Sequence, residues 1–556
     1  MTVKRTLAAV AAGSILTMTV ASCAESQREA GSSGSNGTGG GTFTFGAAGA
    51  PKLFDPFYAS DGETFRVSRQ LMEGLVAFKP GTADPGPGLA KDWTPSADGL
   101  SWTFNLQEGV KFHDGTDFNA DAVCKNFERW FAQTGAGQSD GVSTYWIENF
   151  GGFKDGKKPS LYKSCIAKDA KTADVTLTRV TSKFPAILGL PAFSMQSPTA
   201  MTKYNSNAVK VQGEGFQYSE YALKHPTGTG PFVFEAYDAA NKTVTLKRNE
   251  DYWADKAKPE KVVFKIIPDE NARRQELQAG SIQGYDFPKP SDWQSLRDAG
   301  NNVMVRPAFN ILYLGFNANT NPKLKDLRIR QAIMHAINRE QIVKTQLPEG
   351  AKAATQFIPD TVMGYNTKLR VPPYDKAKAT ELLTDAGAAG MTLNVWYPSE
   401  VTRPYMPAPQ AIFEAIRTDL EAVGIKVNPV TKPWNGGYIE QVDAGKASAF
   451  MLGWTGDYNT ADNFIGTFFA NTTNRFGTKN YPWGADLVTQ LNAADGEKNE
   501  AKRKTRYEDI NAKLVTEYLP GVPISHSPPA MVVAKNVSGI TPSPLTDEEF
   551  SGVTLT

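Results

Sequence analysis

The chain has 556 residues, 40% of them hydrophobic, with 59 Lys and Arg against 58 Asp and Glu and a formal net charge of +1. Such a length exceeds what one hydrophobic core serves, so at least two lobes are expected. The balanced charge argues against the concentrated basic surface that a nucleic acid or another polyanion demands, and no nucleic-acid partner is expected.

The N-terminus reads MTVKRTLAAVAAGSILTMTVASCAES. Lys4 and Arg5 precede an apolar stretch of roughly fifteen residues, and small residues lead to Cys23, the layout of an export signal over residues 1 to 22 rather than of a spanning helix. Val20-Ala21-Ser22-Cys23 resembles the bacterial lipobox, which implies that Cys23 becomes the acylated first residue of the mature chain. A cleaved signal with an incidental cysteine is the alternative. Residues 23 to 41 carry the Gly/Ser-rich run AESQREAGSSGSNGTGGG, which has too little apolar surface to offset its ordering entropy and reads as a flexible linker. The expected product is a soluble body lipid-anchored at the extracellular face of the bacterial cell membrane.

From Gly41 to about Pro307, short strand-like runs alternate with turns: GTFTFGAAG, LSWTFNLQEGVKFHDG, ADVTLTRV, GPFVFEAYDAANKTVTLKRN and KVVFKIIP. One helix-like interruption, NADAVCKNFERWFAQ, places Ala122, Phe127 and Phe131 toward a core behind an Asn119 cap. It also holds Cys124, which with Cys165 makes up the cysteines other than Cys23. Export to an oxidising compartment favours a disulfide between them, two free buried cysteines being the alternative.

Beyond Phe309 the pattern becomes strand, helix, strand. ILYLGFNA is a strand, and KDLRIRQAIMHAINREQIV a helix capped by Asp326 with Ile329, Ala332, Ile333, Ala336 and Ile337 on one face. YDKAKATELLTDAG is a helix from Asp375 to a Gly387 stop, followed by strand MTLNVWY, helix PQAIFEAIRTDLEAV ending at Gly424, strand IKVNPV and the run ASAFMLGW. This alternation predicts a largely parallel sheet with right-handed crossovers. Arg403 follows MTLNVWY and Asp457 follows the run ending at Trp454, so both sit where open α/β sheets bind ligands, a cation and an anion spaced for a small zwitterion. The competing reading of Asp457 is a turn former that satisfies its own backbone.

An enzyme would show a nucleophile beside a base, paired carboxylates or a metal cluster. The four histidines, His113, His225, His335 and His526, are scattered, and no metal-binding spacing or phosphate-binding loop occurs. Catalytic residues, metal ligands and cofactors are therefore not expected, and His113 with Asp114 and Gly228 with Gly230 read as structural.

PGLAKDWTPSADGLSWTFNLQEGVKFHDGTDFNADAV, from Pro87 to Val123, followed in order by HPTGTGPF, NEDYW, DLRIRQAIMHAINRE and ISHS, resembles the family 5 extracellular solute-binding proteins of bacterial ABC importers. RPYMP at 403–407 and GWTGD at 453–457 are similar to the dipeptide- and oligopeptide-binding branch. The resemblance implies an α/β, two-lobed periplasmic-binding-protein-like fold of type II, in the large peptide-binding variant with an extra β-rich subdomain. Lobe I would span 42 to 309 completed by 527 to 556, lobe II would span 310 to 526, and a hinge would lie near Phe309 and His526. It further implies that Arg403 binds a peptide's terminal carboxylate, that Asp457 binds its α-ammonium, and that Tyr405 and Trp454 line the site. The implied partners are a short peptide and membrane permease subunits, and the implied state is a monomer. The loop DYNTADNF lacks the proline and aspartate usual in relatives after the first Asp, and their cysteine pair in the following segment is missing, which bears on pocket shape. Another cargo (oligopeptide, metal chelate, haem or sugar), a peptide-sensing lipoprotein and an extracellular hydrolase are the alternatives to dipeptide capture.

Overall fold

The computed structural model describes residues 40–556 other than Glu214 and Glu400. Cys23, the signal and nearly all of the linker lie outside the described residues.

Three sheets organise the chain. The first has seven strands in the order Phe232–Asp238, Thr243–Arg248, Lys261–Ile266, Thr42–Ala47, Gly284–Asp286, Ala530–Val533 and Asn302–Val305. Period-two alternation in TFTFGA turns Phe43 and Phe45 inward, where both rings pack on Phe550 from the C-terminal tail. A four-stranded antiparallel sheet, ordered Ala90–Pro95, Ser101–Leu106, Thr172–Leu177 and Tyr162–Asp169, forms the extra β-rich subdomain. The helix Ala120–Phe131 covers it, capped by Asn119 as read from the sequence, with Ala122 and Phe127 buried and Phe131 half-buried. Cys124 is bonded to Cys165 of the adjoining strand. The bond spans 41 residues, for which a chain-entropy model gives a stabilisation of roughly 4 kcal/mol.

The third sheet has six strands in the order Lys352–Ala353, Gly521–His526, Asn310–Phe316, Ala449–Thr455, Thr392–Ser399 and Lys426–Pro433. It corrects the expectation of a largely parallel sheet. Thr392–Ser399 is parallel to both neighbours, whereas the pairings of Asn310–Phe316 and of Gly521–His526 are antiparallel. The reason is topological: Asn310–Phe316 enters this lobe where Gly521–His526 leaves it, and two adjacent strands running in and out through one edge oppose each other. The crossings are tied together by Asn310, whose side-chain amide donates to Ser527 O (2.7 Å) and whose side-chain carbonyl accepts from Ser527 N (3.0 Å).

Two helix expectations are also corrected. The segment 325–343 is two helices, Leu327–Ala336 and Arg339–Gln346, because Ile337 turns extended and the Asn338 side chain accepts from Gln341 N to start a new helix. The β-rich first half holds further helices, among them Gly62–Leu71 and Glu270–Gln278, each opened by an aspartate cap, Asp61 and Asp269.

Candidate functional site

The two charged candidates stand on one rim because their strands are neighbours in register. Val395 of Thr392–Ser399 pairs with Ala449 of Ala449–Thr455 in parallel, and Arg403 and Asp457 each follow their member of that pair by eight residues. The rim faces the crossings, since Gly456 N donates to Phe309 O at 2.9 Å. Glycine is required at 456: a Cβ there would lie 2.3 Å from the Phe309 ring and 2.6 Å from that of Phe464.

Past Gly456 the loop reaches the other lobe. Asn459 N donates to Ala83 O (2.9 Å) and its side chain to Asp84 Oδ1 (2.6 Å), while Lys183 pairs with Asp462 at 2.5 Å. Asp457 is half-buried in this contact. Its backbone N–H donates to Asn463 Oδ1 (2.7 Å), and its carboxylate accepts from Asn463 Nδ2 (3.4 Å) and from Tyr145 Oη (3.5 Å) of the helix Thr144–Phe150. Two long hydrogen bonds leave most of the carboxylate's accepting capacity unused. Burial pushes this acid up to about 6, against the opposing pull of Asn463, Arg69 and Tyr145.

Arg403 closes a one-turn bridge with Met406, and its guanidinium lies 4.4 Å from the centre of the Trp434 ring. Its Nε is buried without a hydrogen-bond partner. Among the described residues neither Arg403 nor Asp457 forms an ion pair, although 29 pairs involve other residues. A cation stacked on an indole and a carboxylate raised by burial, neither held in an ion pair among the described residues, stand on a shared rim and form a site for a ligand that brings both charges.

Tyr405 is buried and lies over Gly453, where a Cβ would fall 2.4 Å from its ring, so the RPYMP turn and the end of the adjoining strand are in contact. Trp454 is half-buried, with Nε1 3.5 Å from Asn463 Oδ1. Tyr145, Asn463, Trp434 and Arg69 complete the surroundings and went unread in the sequence. Asn463 follows Asp457 by six residues and was within reach of local reasoning, whereas Tyr145 is 312 positions away and comes from the other lobe.

A crevice in the first lobe, which shares Arg69 with this site, is lined also by Glu73, Asp547 and Glu549. Its Glu73 accepts from Thr229, Tyr252 and Trp253 at 2.7, 2.7 and 3.0 Å, which fastens the PTGTGPF and NEDYW segments together and makes this carboxylate a structural clamp. Among the described residues no cluster of three or more His, Cys, Asp or Glu could hold a metal, and no helix is long and apolar enough to cross a membrane.

Comparisons with known proteins converge on one group. The model of the bacterial extracellular solute-binding proteins, family 5 (middle), matches residues 84–476. The chain is 31% identical to the dipeptide-binding protein of Escherichia coli K12 over 528 residues, 92% of this chain and 94% of that one. It is 30% identical over 574 residues to heme-binding protein A of Haemophilus influenzae, with all of both chains covered. In structure it is similar to an ABC transporter-associated periplasmic binding protein of Helicobacter pylori solved with the peptide STSA. That match has a TM-score of 0.74 at 26% identity, covering 93% of this chain and 98% of the other.

Proposed function

Because this chain belongs to the family 5 bacterial extracellular solute-binding proteins, a binding family and not an enzyme family, we propose that it captures short peptides, dipeptides foremost, between its lobes and delivers them to the permease of an ABC importer. The observation that carries the reading is the pair of opposite charges on one rim, neither in an ion pair among the described residues, Asp457 for the peptide ammonium and Arg403 for its carboxylate. Tyr405 and Trp454 line the space near them. The crossings at 306–309 and 527–529 are the hinge about which the lobes close on the ligand. The body is a monomer attached through a lipid on Cys23 at the extracellular face of the membrane, a position that keeps it beside the permease.

Burying a zwitterion is tolerable only where both ends meet opposite charges. Asp457 must be ionised to meet an ammonium, yet in the free protein it holds its proton below about pH 6. Binding then releases that proton, so affinity falls as the pH drops. For Ala-Ala, Kd should be nearly flat from pH 7.5 to 6.5 and should rise about tenfold per unit below pH 6. The groups facing Asp457 are Tyr145, which stays neutral throughout, the cation Arg69, and Glu148. Asp457→Asn should abolish the pH step while leaving the weak residual binding. Calorimetric titration across pH 5 to 7.5 checks this, and a Kd independent of pH would remove the ammonium from Asp457.

Haem is the second reading, favoured by the full-length Haemophilus influenzae relative. Titration of haemin followed by its absorbance separates the two: a saturable spectral shift, with no effect of dipeptide upon it, would favour haem.

A further inference from the structure

The helix Thr144–Phe150 of the first lobe meets the Asp457 loop with one face. Tyr145 Oη donates to Asp457 at 3.5 Å, and Asn149 Oδ1 accepts from Tyr458 Oη at 3.5 Å. Glu148 stands three residues after Tyr145 and one before Asn149, on that same face by the 3.6-residue period. Its side chain is exposed and, among the described residues, forms neither a hydrogen bond nor an ion pair. Arg69, the cation that acts on both Asp457 and Tyr145, is engaged elsewhere, donating to Thr546 O at 3.1 Å.

We propose that Glu148 is a specificity residue of this site, providing a second carboxylate that selects peptides whose first side chain is cationic. The inference rests on the peptide reading above, in which Asp457 takes the α-ammonium. With the α-ammonium engaged by Asp457, the side chain nearest to it is that of the first residue, so a Lys or Arg there extends from Asp457 toward the Glu148 carboxylate on the facing helix. The charge of Asp457 acts on Glu148, and among the described residues no cation is paired with it. A cation brought by the ligand removes that deficit.

The test is calorimetric titration at pH 7.5 of Lys-Ala, Ala-Lys and Ala-Ala into the wild-type body and into Glu148→Gln, whose melting temperature verifies its fold. Wild type should bind Lys-Ala about tenfold more tightly than Ala-Ala, the gain of one charge-assisted hydrogen bond. Ala-Lys should bind like Ala-Ala. Glu148→Gln should lose the preference while binding Ala-Ala as wild type does. Equal affinities for Lys-Ala and Ala-Ala in wild type, or a preference that survives in Glu148→Gln, would overturn this inference and leave the peptide reading standing. Failure of wild type to bind any of the three would overturn both.

Discussion

Asp457→Ala and Arg403→Ala, made singly, are expected to weaken dipeptide binding about a hundredfold or more while leaving the protein folded. Each charge-assisted hydrogen bond contributes about 1.5–3 kcal/mol, and two such bonds per terminus amount to about 3 kcal/mol at the least, or a factor of ~100 in Kd. The remaining ligand terminus would not rescue binding, because the uncompensated charge would still have to be desolvated on closure. Among the described residues neither side chain forms an ion pair, so removing it strands no paired charge there. For Asp457 the argument goes further. Its acid is already raised to about 6 by burial, so the ionised carboxylate is held at a cost that the alanine variant is spared. The variant should melt no lower than wild type. Circular dichroism melts with calorimetric titration check both halves, and wild-type affinity in either variant would sink the assignment.

Arg306→Met is expected to lower stability by about 3–5 kcal/mol, the characteristic cost of removing one member of a buried ion network. Arg306 is fully buried beside the first crossing. It donates through Nη1 to Asp286 (2.6 Å) and through Nε and Nη2 to Glu548 (2.6 and 2.9 Å), while Arg66 takes the other oxygen of Asp286. Although burial opposes ionisation, Arg306 and Arg66 together hold Asp286 below the usual carboxylate range. Glu548 also accepts from Ser543 N, and its backbone carbonyl accepts from Gln70, so the network pins the C-terminal tail onto the Gly62–Leu71 helix. Methionine preserves much of the volume and leaves two carboxylates facing a single arginine. Urea unfolding should show the midpoint falling steeply, and a loss below about 1 kcal/mol would mean that the network adds little to the fold.

The strands and caps of this protein were legible because their signals are local. TFTFGA alternates with a period of two, and Asn119, Asp326 and Asp375 each accept from a backbone amide two or three residues on. The rim carrying Arg403 and Asp457 was legible for the same reason, since each follows its own strand. The parallel sense of the whole sheet was not, because it depends on where the chain enters and leaves the lobe, a property of two crossings more than 200 residues apart. Tyr145, Arg69 and Glu148 were out of reach because they approach Asp457 from the opposite lobe, and no period or spacing relates residues so far apart in the sequence. Trp434 was one of ten tryptophans. Only the stacking of Arg403 upon it distinguishes it from those that fill cores.

The central claim is that one peptide terminus meets Asp457 and the other Arg403, and thermal stabilisation of the body comprising residues 24–556 by free, N-acetylated and C-amidated copies of one dipeptide tests it most directly. A ligand that binds only the folded form raises the melting temperature. The account predicts that the free dipeptide stabilises and that blocking either end abolishes the effect, the acetyl group by removing the ammonium from Asp457 and the amide by removing the carboxylate from Arg403. Equal stabilisation by the blocked and free forms would contradict it.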